Sequence, residues 1–238
     1  MPNVDQLAAL RERQELFLAT IAEVDPTVPV PWCGRWRVRN LVEHLARVHH
    51  WAAAHARRRQ ETPLGRGPFE LVEFYATNAA ELRDTLAELD PDTPAWTLSD
   101  DGVPKGERTG TVRFWHRRQA LETLIHLWDL RTAAGLDYEP GPTAWADCLD
   151  EVVTVMHPRQ IRLNRIGPPI TRIRFIADDV EADHLLHGSP EGPETVVRGP
   201  VRSLALLSWG RVPRTDPSLR TEGDVAALDE TLAAGLTP

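Results

Sequence analysis

The chain has too little cysteine, too little lysine and too few long apolar runs to belong to several whole classes of protein. Cys33 and Cys148 are its two cysteines in 238 residues. That is too few for the disulfide framework of a small secreted domain, and a cytoplasmic location is expected. No run of about 18 apolar residues occurs, so a membrane span is not expected. Met1 to Leu10 carries Asp5 and no apolar stretch, so it does not read as an export signal. Lysine occurs once, at Lys105, and the formal net charge is −8. Binding to a phosphate backbone rests on clustered cations, so nucleic acid is not the expected partner. The basic run Arg57 to Arg59 reads as a solvated helix end. What remains is ordinary for a globular protein, with 42% hydrophobic and 26% charged residues. The length suits one large domain or two small ones.

Apolar residues at Leu7, Leu10, Phe17, Leu18 and Ile21 keep helical spacing and predict a helix over Val4 to Val24. A proline-containing loop, Asp25 to Gly34, separates it from a second helix over Arg37 to Arg59. Leu41, His44, Leu45, Val48, Trp51 and Ala52 share one side of that helix. A third helix is expected from Phe69 to Leu89, closed by Asp90-Pro91, and a fourth from Thr111 to Ala134, stopped by Gly135. Residues 91 to 110 read as a loop. Four such helices suggest a four-helix bundle. Tyr138 to Pro142 is the clearest breaker, which places the domain boundary at 142/143. Beyond it the pattern predicts a connecting helix, Thr143 to Met156, then strands at Ile170 to Ile176, Glu194 to Arg198 and Ser218 to Thr221. Helices are expected at Pro200 to Trp209 and Asp224 to Ala234. The fold class is therefore α+β, with a helical bundle over 1–142 and a small α+β domain over 143–238.

The chemistry starts with Glu122 and His126. At i and i+4 they share a helix face, about 5–6 Å apart at Cβ, and a carboxylate and an imidazole so placed can grip one metal ion. By itself Glu-x-x-x-His is weak evidence, and a surface or half-buried hydrogen-bonded pair is the commoner reading. His44 lies on the apolar side of the second helix, where a histidine is commonly a satisfied core residue. An inward His on one helix and an inward Glu/His pair on another can also meet inside a bundle. Three ligands with a fourth position open is the pattern of catalytic zinc. Zn²⁺ with two neutral imidazoles and one carboxylate carries net +1. A single thiolate brings that charge to zero, which favours ionised sulfur in a low-dielectric interior.

Val30 to Ala54 contains Val-Pro-Trp-Cys-Gly-Arg-Trp-Arg-Val-Arg-Asn-Leu-Val-Glu-His-Leu followed by Val-His-His-Trp-Ala-Ala-Ala. It resembles the opening signature of the mycothiol-dependent maleylpyruvate isomerase family. Arg117-Arg118, Glu122-Thr123 and His126-Leu127-Trp128-Asp129 resemble its second signature. Val197 to Pro200, Leu204 to Arg211 and Glu222 to Asp224 resemble its small C-terminal domain. The resemblance implies a DinB-like four-helix bundle, zinc on His44, Glu122 and His126, and mycothiol, a sugar-linked cysteine thiol, as cosubstrate. The expected activity is thiol S-transfer to, or isomerisation of, a small electrophile. Leu121 stands where the family often has His, and Asn40 where it often has Asp. These departures leave the metal ligands in place and bear on the substrate.

Other residues carry alternatives. Arg118 can hold an anion near the metal or pair with Glu122. Asp129, i+3 from His126, can orient that ligand, but bonding within its own helix end is the expected role. Arg159 and Arg162 can contact the thiol cofactor or dock the two domains. Cys33 has no evident neighbouring base and reads as a structural thiol. His49, His50 and His55 are not expected to be ligands, and Trp115, Trp128 and Trp145 are expected in the core. Two rival functions remain open. Two histidines and a carboxylate also serve non-haem iron oxygenases, and a non-catalytic protein could bind thiol conjugates.

Overall fold

The computed structural model describes residues 5–186 and 193–238. The chain divides into two compact units, Met1–Asp100 with Pro104–Glu139, and Asp101–Val103 with Pro140–Pro238.

The first unit contains α1 (Gln6–Ile21), α2 (Val38–Ala56), α3 (Leu71–Glu88) and α4 (Val112–Ala133). Val4, the expected start of the first helix, lies outside the described residues. Asp5 caps α1 by accepting from the Leu7 and Ala8 N–H groups, which satisfies two donors the helix leaves unpaired. Two helix ends share one geometry. Past α4, Gly135 N–H donates to Thr132 O and Leu136 N–H to Arg131 O, with Gly135 at φ 68°. Past α2, Arg58 N–H donates to His55 O and Arg59 N–H to Ala54 O, but here Arg58 takes the left-handed position, at φ 56°. Glycine is the usual residue at that position.

α1 packs on α4 and α2 on α3. The apolar core falls into two blocks. Phe17, Leu41, Leu45, Tyr75, Leu127 and Leu130 belong to one. Leu10, Ala52, Leu82, Val112, Trp115 and Ala120 belong to the other. Each of these helices also carries buried polar residues near where the blocks meet: Gln14, His49, Asn78, and on α4 Gln119, Glu122 and His126. Buried polar groups are costly unless partnered, so this middle layer marks where the bundle gives up stability for another purpose. The expected core tryptophans are buried, Trp115 and Trp145 completely.

The long segment between α3 and α4 contains two short 3-10 turns, Leu98–Asp100 and Lys105–Glu107. Asp100, buried, ties it together by accepting from Thr97 N–H and Oγ1–H and from Thr109 N–H. A Cβ on Gly110 would collide with Asp100 Oδ2 and lie 2.6 Å from Ala95 O. Gly110→Ala is therefore expected to cost about 1–3 kcal/mol by overpacking. Urea unfolding measures this, and an unchanged midpoint would show that the loop yields.

In the second unit α5 (Pro142–Glu151) runs into a π turn, Val152–Met156, and then α6 (His157–Arg162). The expected helix stopped at Met156. It continues because the wide turn, with His157 N–H donating to Val152 O, makes room for Pro158, which has no N–H and would crowd a regular helix. Among the described residues four strands follow in the order β2-β1-β3-β4: β1 (Arg172–Ala177), β2 (Asp183–Leu186), β3 (Glu194–Gly199) and β4 (Arg220–Glu222). β1 and β3 are parallel, with Phe175 opposite Val197, and the other pairs are antiparallel. α7 (Val201–Ser208) packs on β1 and β3, covering the inward Ile173, Phe175 and Val197, and α8 (Val225–Ala234) ends the chain's regular structure. β2 was not expected, because Asp-His-Leu-Leu lacks the alternation that announces a half-buried strand. β4 lies slightly later than the expected Ser218 to Thr221, since no apolar periodicity marks its ends.

Candidate metal centre

α2 and α4 bring His44, Glu122 and His126 together. One ligand atom from each lies within 4.8 Å of the other two. Glu122 Oε1 is the common point, 3.5 Å from His44 Nε2 and 3.3 Å from His126 Nε2. The imidazole centroids are 5.0 Å apart and nearly perpendicular, at 80°. Glu122 and His126 are buried, whereas the His44 side chain keeps 34% of its surface exposed. The cluster is therefore reached from the His44 side.

The surrounding contacts decide how these groups are presented. Arg118 binds Glu122 through Oε2, so one carboxylate oxygen holds the guanidinium and the other faces the imidazoles. His126 Nδ1 lies 3.1 Å from Asp129 Oδ2, and Asp129 is fully buried. An ionised carboxylate only accepts, so Asp129 calls for the proton on Nδ1, and in the neutral imidazole that a metal ion requires the Nε2 lone pair is left facing Glu122 Oε1. A lone pair opposite a carboxylate oxygen is repulsive, and a cation between them removes the repulsion. The donor set thus fits a divalent ion: two imidazoles and a carboxylate suit zinc, and equally suit iron.

Asp129 corrects the expectation from sequence, since it orients His126 rather than merely closing its helix. Cys33 is corrected too: its Sγ lies 3.6 Å from Asp129 Oδ2, so a carboxylate does neighbour the thiol. Trp36, not singled out from the sequence, sits 4.9 Å from the His44 ring. The loop that carries Trp36 and Cys33 is closed by Val30 N–H donating to Trp36 O at 2.9 Å. Sequence spacing carries no signal for such a loop contact. Arg159 and Arg162 lie in the second unit, where both gather on Asp101. Arg159 Nε donates to its Oδ2 (2.7 Å) and Arg162 Nε to its carbonyl (3.1 Å).

One layer further along the bundle, His49 Nδ1 meets Gln119 Oε1 at 3.0 Å. Burial pushes the His49 pKa from 6.5 down to about 3 against the support of Gln119, and repulsion from His126, Arg83 and His44 adds to the fall. The folded protein thus keeps His49 neutral while the unfolded chain protonates it below about 6.5. Its contribution to stability is complete above that pH and is lost as pH falls toward about 3, by at most ~1.4 kcal/mol per pH unit. Acid unfolding of His49→Gln is expected to show a shallower pH slope in this window than wild type. Equal slopes would mean that the folded protein takes up the proton.

The family model described as the mycothiol maleylpyruvate isomerase N-terminal domain matches residues 7–131, a span containing all three clustered ligands. No curated protein matches the chain. A crystal structure of the mycothiol-dependent maleylpyruvate isomerase is similar at 15% identity and TM-score 0.66, and that of a point mutant at 13% and 0.69. In both, the likeness covers 95% of this chain and 96% of the other. At these identities the solved structures speak for the α+β fold, with its DinB-like helical bundle. The family match spans more than half the sequence, and by it this chain belongs to the mycothiol maleylpyruvate isomerase N-terminal domain family.

Proposed function

We infer that the protein is a metal-dependent enzyme that uses mycothiol as a thiol cosubstrate on a small electrophile, in the manner of a maleylpyruvate isomerase. The observation that supports this most is the convergence of His44, Glu122 and His126 on one carboxylate oxygen, in a chain of this family. Zinc is the proposed ion, and when bound it supplies positive charge that favours the thiolate over the thiol.

The chain's own residues do the rest. Asp129 keeps the His126 Nε2 lone pair turned inward. Glu122 contributes one negative charge, and Arg118 holds that carboxylate in place. Arg118 is also the proposed catalytic cation, standing beside the reacting groups to balance an anionic substrate. The buried surroundings of Glu122 and His126 strengthen each of these interactions relative to water. Arg159 and Arg162, steadied by Asp101, are the proposed contacts for the thiol cofactor. The sulfur attacks an electrophilic carbon and forms a C–S bond. In isomerisation that bond breaks again and the thiol is released unchanged. In transfer it persists, and the leaving group departs with the electron pair.

The test is turnover of maleylpyruvate and of a panel of electrophiles, with and without mycothiol, followed by mass spectrometry for thiol adducts. Conversion or adducts that require both protein and mycothiol are expected. Binding of mycothiol conjugates with no turnover across the panel would make the protein a binding module instead.

A further inference from the structure

A second site lies in the first unit, away from the metal ligands. His55 lies eleven positions after His44 on α2, about 16 Å at roughly 1.5 Å per residue. Beside His55 opens a cleft of about 490 Å³, lined by Arg58, Arg59, Trp96, Lys105 and Arg108 among others. Among the described residues no carboxylate lines it, although the chain's formal net charge is −8. The chain's single lysine is one of its walls. Arg57, the neighbour in sequence, is taken up by Glu88 at 2.6 Å. Among the described residues no ion pair is formed by Arg58, Arg59 or Lys105.

Two features show that the cleft is built. Its loop wall is anchored by buried Asp100, which binds Thr97 and Thr109 and so sets the position of the segment bearing Lys105 and Arg108. Trp96 packs against His55 with ring centroids 4.5 Å apart and planes tilted by 44°, and its carbonyl accepts from Trp115 Nε1 at 2.9 Å, giving an anchored aromatic wall. The backbone supplies a third, independent sign. Arg58 occupies the left-handed position past α2, at φ 56°, where the matching end of α4 has Gly135. A non-glycine residue held in a strained conformation marks a side chain retained for something other than stability. Here the side chain retained is a guanidinium in a cleft lined by other cations.

We propose that this cleft is a binding site for a compact polyanion of the pyrophosphate class, with Trp96 and His55 offering a face to a planar ring attached to it. Guanidinium groups match phosphoryl oxygens in paired hydrogen bonds. An anion also relieves the repulsion among the clustered cations. The site is distinct from the metal centre and does not depend on the activity inferred above.

Calorimetric titration with sodium pyrophosphate and with adenosine diphosphate, at low and high salt, tests it. Saturable one-to-one binding is expected, weakening as salt rises, with adenosine diphosphate tighter than pyrophosphate. Arg58→Gly is the diagnostic variant, because it removes the charge and relieves the backbone at once. Its melting temperature should equal or exceed that of wild type, while its affinity for pyrophosphate falls about 10-fold, as expected for loss of a charge-assisted hydrogen bond. Lys105→Gln and Arg108→Gln should weaken both ligands, whereas Trp96→Leu should erase the preference for adenosine diphosphate. No saturable binding at low salt, or unchanged affinity in Arg58→Gly and Lys105→Gln, overturns the site. So does binding of a single-stranded oligonucleotide where neither small anion binds.

Discussion

Replacing His126 by alanine is expected to remove metal and activity together. The imidazole is one of three donors and the only one whose tautomer is set by a buried carboxylate in the described geometry. Removing a supporting hydrogen bond from a metal ligand costs roughly 10–100-fold in affinity, and removing the ligand itself should cost more. Asp129→Asn provides the graded comparison. It leaves the Nε2 donor in place but weakens control of the Nδ1 proton, so its loss should fall within that 10–100-fold range. Elemental analysis of the purified proteins, beside mycothiol-dependent turnover, measures both effects. Full metal content with normal turnover in His126→Ala would end the assignment. The same analysis identifies the ion: iron with oxygen-dependent turnover in the wild type would replace zinc chemistry with that of an oxygenase.

The second large effect is on stability. Glu122→Ala removes the carboxylate from the Arg118 guanidinium, which is only 6% exposed. Breaking a buried pair from one side leaves a charge without its partner and costs about 3–5 kcal/mol. For a chain of this size that corresponds to a drop of roughly 10 °C in the melting temperature of the bundle. His126→Ala leaves buried Asp129 without the imidazole N–H but breaks no ion pair with a guanidinium, so it should unfold at a higher temperature than Glu122→Ala when both are metal-free. Adding Arg118→Met to Glu122→Ala should recover much of the loss without restoring metal binding. If Glu122→Ala melts like wild type, the ion pair contributes little, and Arg118 is held by its other contacts.

The helices and most of their limits were legible in the sequence, because apolar periodicity and capping residues act over a few positions. Asp5 caps α1 and Gly135 stops α4 for purely local reasons. The turn at Val152–Met156 and the strand Asp183–Leu186 were not legible. A widened turn depends on how the chain absorbs Pro158, and a four-residue strand depends on the partner that pairs with it. At the candidate metal centre, Trp36 and the thiol of Cys33 arrive on a loop whose path no periodicity encodes.

The amino-acid order alone determined that Glu122 and His126 stand one turn apart on a helix, since helix pitch makes i and i+4 neighbours wherever the helix forms. It also determined that His44 lies on the inward stripe of its own helix. Only the tertiary structure decided that this stripe meets the α4 pair, that Arg118 takes one oxygen of Glu122 and that Asp129 lies against His126 Nδ1. The first two facts follow from backbone hydrogen bonds spanning four residues. The others follow from side-chain packing, within α4 and across helices far apart in the chain, which local spacing cannot encode.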